Sequence, residues 1–129
     1  MIVDTSAIMA IALLEPEAEA FMTRLGSADT PRISAGSWIE LSVVVLRRHP
    51  EKADLVDRIM QRFGITVEPV TIAQGRIARE AYARFGQVSR HPAHLNFGDC
   101  FAYALARSTG QPLLFKGDDF IHTDITPAA

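Results

Sequence analysis

The chain has a single cysteine, Cys100, in 129 residues. One thiol cannot close an internal disulfide, so a stapled secreted scaffold is excluded. No apolar run reaches the roughly 20 residues that a membrane helix needs. The first such run is stopped by Glu15-Pro16-Glu17. There is no internal repeat and no low-complexity segment, which leaves no sign of a repeat array or a flexible linker. Charge of one sign is also missing: 13 Lys and Arg stand against 15 Asp and Glu, a net charge of −2. Such a balance does not advertise nucleic-acid binding, although it can hide a local basic patch. The apolar start lacks a basic leader and carries Asp4 early. No signal peptide and no membrane segment are therefore expected, and a reducing cytoplasm is the expected compartment.

What is present is an ordinary globular composition, 48% hydrophobic and 22% charged. The length suits one domain, residues 1–129, with a real core. The opening stretch MIVDTSA reads as a buried strand, Met1–Val3, with Asp4 at its carboxyl end. A buried helix, Ser6–Leu14, follows. A second helix, about Glu17–Leu25, starts after Pro16, buries Ala18, Phe21, Met22 and Leu25, and stops at Gly26. Arg32–Ser34 predicts a very short strand. Gly36–Arg48 predicts a largely buried helix, despite three valines that favour strand. Lys52–Phe63 is amphipathic, with Leu55, Val56, Ile59, Met60 and Phe63 on one face. Ile65–Val70 predicts a strand that ends, or runs along an edge, at Pro69.

Thr71 caps a helix to Phe85 that buries Ala73, Ile77, Ala81 and Phe85. Gly86–Leu95 is a polar loop, and Asn96 caps a central helix, Phe97–Ser108, closed by Gly110. Pro112–Phe115 predicts a buried strand and Ile121–Thr126 a short last one. The alternation β-α-α-β-α-α-β-α-α-β predicts an α/β fold, a small, mainly parallel sheet in a three-layer α/β/α arrangement.

In such folds the carboxyl ends of the strands form the ligand crevice. Asp4, Asp99 and the Asp118-Asp119 pair fall at strand ends or helix starts, so one sheet edge collects them. Each has a plainer reading: Asp4 caps a helix, Asp99 completes a capping box with Asn96, and Asp118-Asp119 turn with Gly117. Glu40 is flanked by Trp38-Ile39 and Leu41, where an isolated buried carboxylate costs several kcal/mol on an order-of-magnitude scale. Clustered carboxylates repel, and a divalent cation relieves the repulsion. All-oxygen donors select Mg2+ or Mn2+, whose natural chemistry is with phosphoesters. His91, His94 and Cys100 make a poor zinc set, and Cys100 reads as a packed thiol.

Four stretches carry a family resemblance: MIVDTSA, the helix with Glu40, RHPAHLNFGDCFAYALA from Arg90 to Ala106, and LLFKGDDFIHTDI from Leu113 to Ile125. They span nearly the whole chain, which resembles the PIN-domain ribonucleases, specifically the VapC toxins of toxin–antitoxin pairs. The resemblance implies a PIN fold and a Mg2+- or Mn2+-dependent endoribonuclease that leaves a 3′-hydroxyl and a 5′-phosphate. It implies Asp4 and Asp99 as metal ligands, Glu40 as the third acid, and Asp118 as the fourth, with Asp119 competing for that place. Ser6 resembles the hydroxyl residue that shapes the site beside Asp4. Implied partners are RNA, a cognate antitoxin whose tail enters the acidic site, and a second copy in a homodimer. Arg90, His91, His94 and Lys116, on loops next to the acids, are candidates to offset the charge of RNA.

Two other classes compete. A phosphoacceptor switch of the response-regulator kind also gathers acids at strand ends, but it needs an acid pair after the first strand, where Thr5 follows Asp4. A housekeeping PIN nuclease or a non-catalytic PIN-like binding module is the other, and the intact acids argue against a module that only binds.

Overall fold

The computed structural model describes residues 1–129. Four strands, β1 (Ile2–Val3), β2 (Arg32–Ser34), β3 (Thr66–Glu68) and β4 (Leu113–Leu114), form one sheet in the order β3-β2-β1-β4. All neighbours run parallel: Ile2 pairs with Arg32 and Leu113, and Ile33 with Val67. Six helices fill the connections: α1 (Thr5–Ala12), α2 (Ala18–Gly26), α3 (Ala35–Arg48), α4 (Ala53–Arg62), α5 (Ile72–Phe85) and α6 (Phe97–Thr109). The element order is the one expected from the sequence.

Side chains alternate across a strand, and here two-residue strands feed two cores. Val3 and Leu114 join Ile8, Leu25, Ile33, Leu41, Val56 and Ile59 on the face covered by α1–α4. Ile2 and Leu113 join Phe85, Leu95, Tyr103 and Leu105 on the face covered by α5 and α6. Each fully buried aliphatic side chain contributes about 1.5–3 kcal/mol, so the sheet is held far more by its faces than by its few ladder bonds. β1 lies between β2, reached first, and β4, reached last. The strand order reverses there, and a crevice opens at the carboxyl ends.

The caps explain where the helices start. Ser34 accepts from the Gly36 N–H at 3.2 Å and Thr71 from the Gln74 N–H at 3.1 Å. Asn96 and Asp99 form a reciprocal capping box at the start of α6. Gly64 and Gly110 end α4 and α6 in the left-handed region, φ +62° and +66°.

Several expectations are corrected. Ile121–Thr126 is not a strand: Asp119–His122 is a 3-10 turn, and one bridge, Leu113 to Pro127, is all that extends the sheet there. The preceding acids and Gly117 bend the chain before it can lie flat. α3 is not largely buried: Ser37, Leu41 and Val45 are its buried residues, while Trp38, Ile39, Val43 and Leu46 are exposed. A stripe at every fourth residue is as much of this helix as the sheet can cover. Met22 and Ala73 face outward, and Gln74 is buried where Ala73 was expected. Gly26 is the last helical residue of α2, and Ser27 is the cap. No helix is long and apolar enough to cross a membrane.

Candidate functional site

β1 delivers Asp4 to the crevice. Its backbone N–H still donates to the Leu114 carbonyl at 2.9 Å, so the residue is the last one held by the sheet. Its side chain then caps α1: Oδ2 accepts from the Ser6 N–H at 3.0 Å and from the Ser6 hydroxyl at 2.6 Å. The Ser6 oxygen in turn accepts from the Lys116 N–H at 3.0 Å. Ser6 is thus a stitch between the Asp4 carboxylate and the loop after β4. Asp4 is only 5% exposed. Burial raises its carboxyl pKa, the Ser6 bonds pull it back, and the Asp119 charge raises it further.

Asp99 comes from the first turn of α6. Its Oδ2 accepts from the Asn96 N–H at 2.9 Å. Burial pushes its carboxyl up to about 7, against the Asn96 bond, and the charges of Asp4, Asp119 and Glu40 add to the rise. Glu40 comes from α3. Burial raises it too, the Thr5 hydroxyl opposes the rise, and the Asp4 charge adds to it. That hydroxyl donates to the Ser37 carbonyl 2.9 Å away, which fixes it beside Glu40. Asp4, Glu40, Asp99 and Asp119 therefore form one electrostatic cluster, fed by β1, α3, α6 and the loop after β4. Within the Asp118-Asp119 pair, it is the Asp119 charge that acts on Asp4 and Asp99. Asp118 and Asp119 are both exposed, at the turn that begins at Gly117, φ +98°.

The plainer readings of Asp4 and Asp99 as caps hold alongside their convergence. A cap and a member of the cluster are here the same carboxylate.

The cations are placed differently from one another. Lys116 pairs with Glu15, and with Glu17 at 3.5 Å, so its charge is committed to the α1–α2 connection. His91 is held inside its loop: Nδ1 accepts from the Ala93 N–H at 3.1 Å, and its ring meets Phe85 edge-on at 5.0 Å. Arg90 and His94 are exposed, both at positive φ, +56° and +45°. The Cys100 thiol is buried, donates to the Asn96 carbonyl at 3.3 Å, and is pushed up to about 11 by burial and by Asp99. That is a packed thiol.

The sequence reading missed Thr5 and the two acids that hold Lys116. Thr5 had a signal, since it stands between Asp4 and Ser6 in MIVDTSA. The pairing of Lys116 with Glu15 and Glu17 spans the fold and had none.

Residues 1–125 match the PIN domain family. The chain belongs to it, among the VapC ribonucleases. It is 50% identical over 129 residues to ribonuclease VapC42 of Mycobacterium tuberculosis, covering 99% of this chain and 98% of that one. It is 41% identical over 130 residues to ribonuclease VapC30 of the same organism, covering 100% and 98%. Among solved structures, M. tuberculosis VapC20, described as a toxin that cleaves the sarcin-ricin loop, aligns with a TM-score of 0.76 at 21% identity, over 97% of this chain and 95% of that one. VapBC2 of Rickettsia felis, solved bound to a fragment of promoter DNA, aligns with a TM-score of 0.74 at 14% identity, over 98% and 94%. Both likenesses confirm the three-layer PIN fold.

Could the acids of this PIN domain hold a cation? All four are oxygen donors, and the raised pKa values of Asp4, Glu40 and Asp99 mean that the bare cluster resists carrying its full negative charge. No three His, Cys, Asp or Glu side chains close into a cage. The set fits a hard ion that takes one or two carboxylates and keeps several waters, as Mg2+ does. It does not fit a closed structural site.

Proposed function

We propose that this protein is a Mg2+- or Mn2+-dependent endoribonuclease, the toxin of a cytoplasmic toxin–antitoxin pair. The observation that carries the reading is the acidic cluster, in which Asp99 is raised to about 7 beside Asp4, Glu40 and Asp119. A cluster this costly has little use in a module that only binds. The relatives' names support RNA as the substrate, and the VapBC2 structure supports an antitoxin as a partner.

Asp4 and Asp99 would hold the ion. Bound there, a divalent ion offsets charge on phosphoryl oxygens and acidifies water. The remaining work belongs to the chain. Ser6 fixes the plane of Asp4, placing two donors on Oδ2 and none on Oδ1. The Asn96 N–H holds Asp99 by one bond to Oδ2. Glu40, its basicity raised by burial, is suited to take the proton of the water that attacks phosphorus. Asp119 is the fourth acid, able to orient that water. Arg90 and His94, on the loop that leads into α6, offset the repulsion between RNA and the acids. The products would carry a 3′-hydroxyl and a 5′-phosphate.

The exposed apolar side chains of α3 support a protein partner and a homodimer. Two clefts flank α3: one against α4, lined by Trp38, Val45, Leu46 and Ala53, and a larger one of about 500 Å³ against α6, lined by Ile39, Val43, Phe97 and Phe101. An antitoxin tail reaching the acids from there would carry an arginine or a lysine.

The test is cleavage of an RNA oligonucleotide by purified protein with Mn2+, Mg2+ or EDTA. The parent should cleave with either ion and not in EDTA. Asp99→Asn keeps an oxygen for the Asn96 N–H, so it should stay folded and lose at least roughly a hundredfold in kcat. A folded Asp99→Asn protein with parental activity would return Asp99 to a capping role alone.

A further inference from the structure

We propose that Gly98 is a positioning residue that seats the Glu40 carboxylate in the acidic cluster; this rests on reading Glu40 as part of that site. Helices α3 and α6 meet through a reciprocal pair of glycines. On α3, a Cβ added to Gly36 would overlap the ring of Phe101. On α6, a Cβ added to Gly98 would overlap the carboxylate of Glu40. Neither glycine has a positive φ, so backbone conformation does not require them. Space does. Gly98 is buried in the first turn of α6, directly before Asp99.

Glycine is a poorer helix former than alanine, so helix stability alone favours alanine at this position. What glycine supplies is a bare Cα on which a carboxylate can lie. The seat is at the positive end of α6, which favours the charged form. It also brings Glu40 close enough for its charge to bear on Asp99. The two glycine contacts differ in kind. At Gly36 the obstacle is an aromatic ring wedged between helices, and a methyl group there forces the helices apart. At Gly98 the obstacle is the tip of a flexible side chain. The helices can keep their crossing while Glu40 swings off its seat. Gly98→Ala is thus a way to move one carboxylate of the site without changing any acid.

The experiment compares the parent, Gly98→Ala, Glu40→Asp, the double variant Gly98→Ala/Glu40→Asp, and Glu40→Gln. It reads melting temperature in EDTA, and kcat and KM on an RNA oligonucleotide with Mn2+. Gly98→Ala should melt at or above the parent, keep KM within about twofold, and lose roughly tenfold to a hundredfold in kcat, the scale of a misplaced catalytic group. Shortening Glu40 by one methylene makes room for the new methyl. Glu40→Asp should therefore lower kcat when introduced into the parent and raise it when introduced into Gly98→Ala. The melting temperatures of the parent, the two single variants and the double variant should be non-additive. Additive effects on kcat and on melting, or a Gly98→Ala enzyme with parental kcat beside an inactive Glu40→Gln, would overturn the proposal alone. Parental cleavage by Glu40→Gln would overturn the place of Glu40 in the site. If Gly98→Ala fails to fold, recovery of folding in the double variant supports the contact. Failure of both overturns it.

Discussion

At Asp99 one carboxylate has two jobs. It closes the capping box with Asn96, and it stands in a cluster whose charges help raise it to about 7. The two jobs agree, because a helix start offers both a place for an acid and a positive end to face a crevice. The same economy holds at Asp4, where the bonds that cap α1 also orient the carboxylate. Residue types in MIVDTSA and NFGDC made these two positions legible. The choice between Asp118 and Asp119 was not legible, since adjacent acids in a turn differ only in the direction the backbone gives them. Here it is the Asp119 charge that bears on Asp4 and Asp99. Asp119→Asn should therefore cost at least roughly tenfold in kcat, and Asp118→Asn less than about threefold by the same scale. Initial rates on one oligonucleotide decide it, and the reverse order would assign the fourth place to Asp118.

At the scale of elements, α3 departs most from expectation. Its run of valines and leucines signals burial, yet hydrophobicity alone does not tell a core face from a docking face. Periodicity does part of that work: Ser37, Leu41 and Val45, at every fourth position, are the stripe on the sheet. The apolar residues between them are left over, with Ile39 57% and Leu46 64% exposed. Boundaries elsewhere were readable because caps and glycines are local signals; Arg32–Ser34 and Gly110 fall where they were expected. The final segment is not legible in the sequence because Ile121 and Ile125 look alike there, while Phe120 is the residue that enters the core beside Ile125. The leftover face makes a prediction. Val43→Glu or Leu46→Glu should change monomer stability by within about 0.5 kcal/mol, as exposed positions do. Each should weaken capture by the co-expressed antitoxin or dimerisation by at least roughly tenfold. Gel filtration and calorimetry read both, and unchanged association with intact folding would clear this face of a binding role.

In the molecule as a whole, a small parallel sheet holds four acids close enough for their charges to interact. Two short-stranded faces, each packed against helices, carry the crevice edge at which β1, α3, α6 and the loop after β4 meet. The sign of the linkage follows from the raised carboxyls. Without a divalent ion the native state binds more protons than the unfolded chain between the ordinary aspartate pKa of about 4 and the value of about 7 at Asp99. Stability from this source is highest at the acid end of that window, falls as pH rises through it, and is level above it. Asp4 and Glu40, both raised, act in the same direction. An ion competing with protons for the same oxygens should reverse the trend. The most direct measurement is the melting temperature of the parent and of Asp4→Asn, at about pH 5 and about pH 8, in EDTA and in saturating Mn2+. Mn2+ should raise the parent's melting temperature, more at the higher pH, and Asp4→Asn should lose most of the rise. An equal rise in both proteins, or no rise in the parent at either pH, would contradict this.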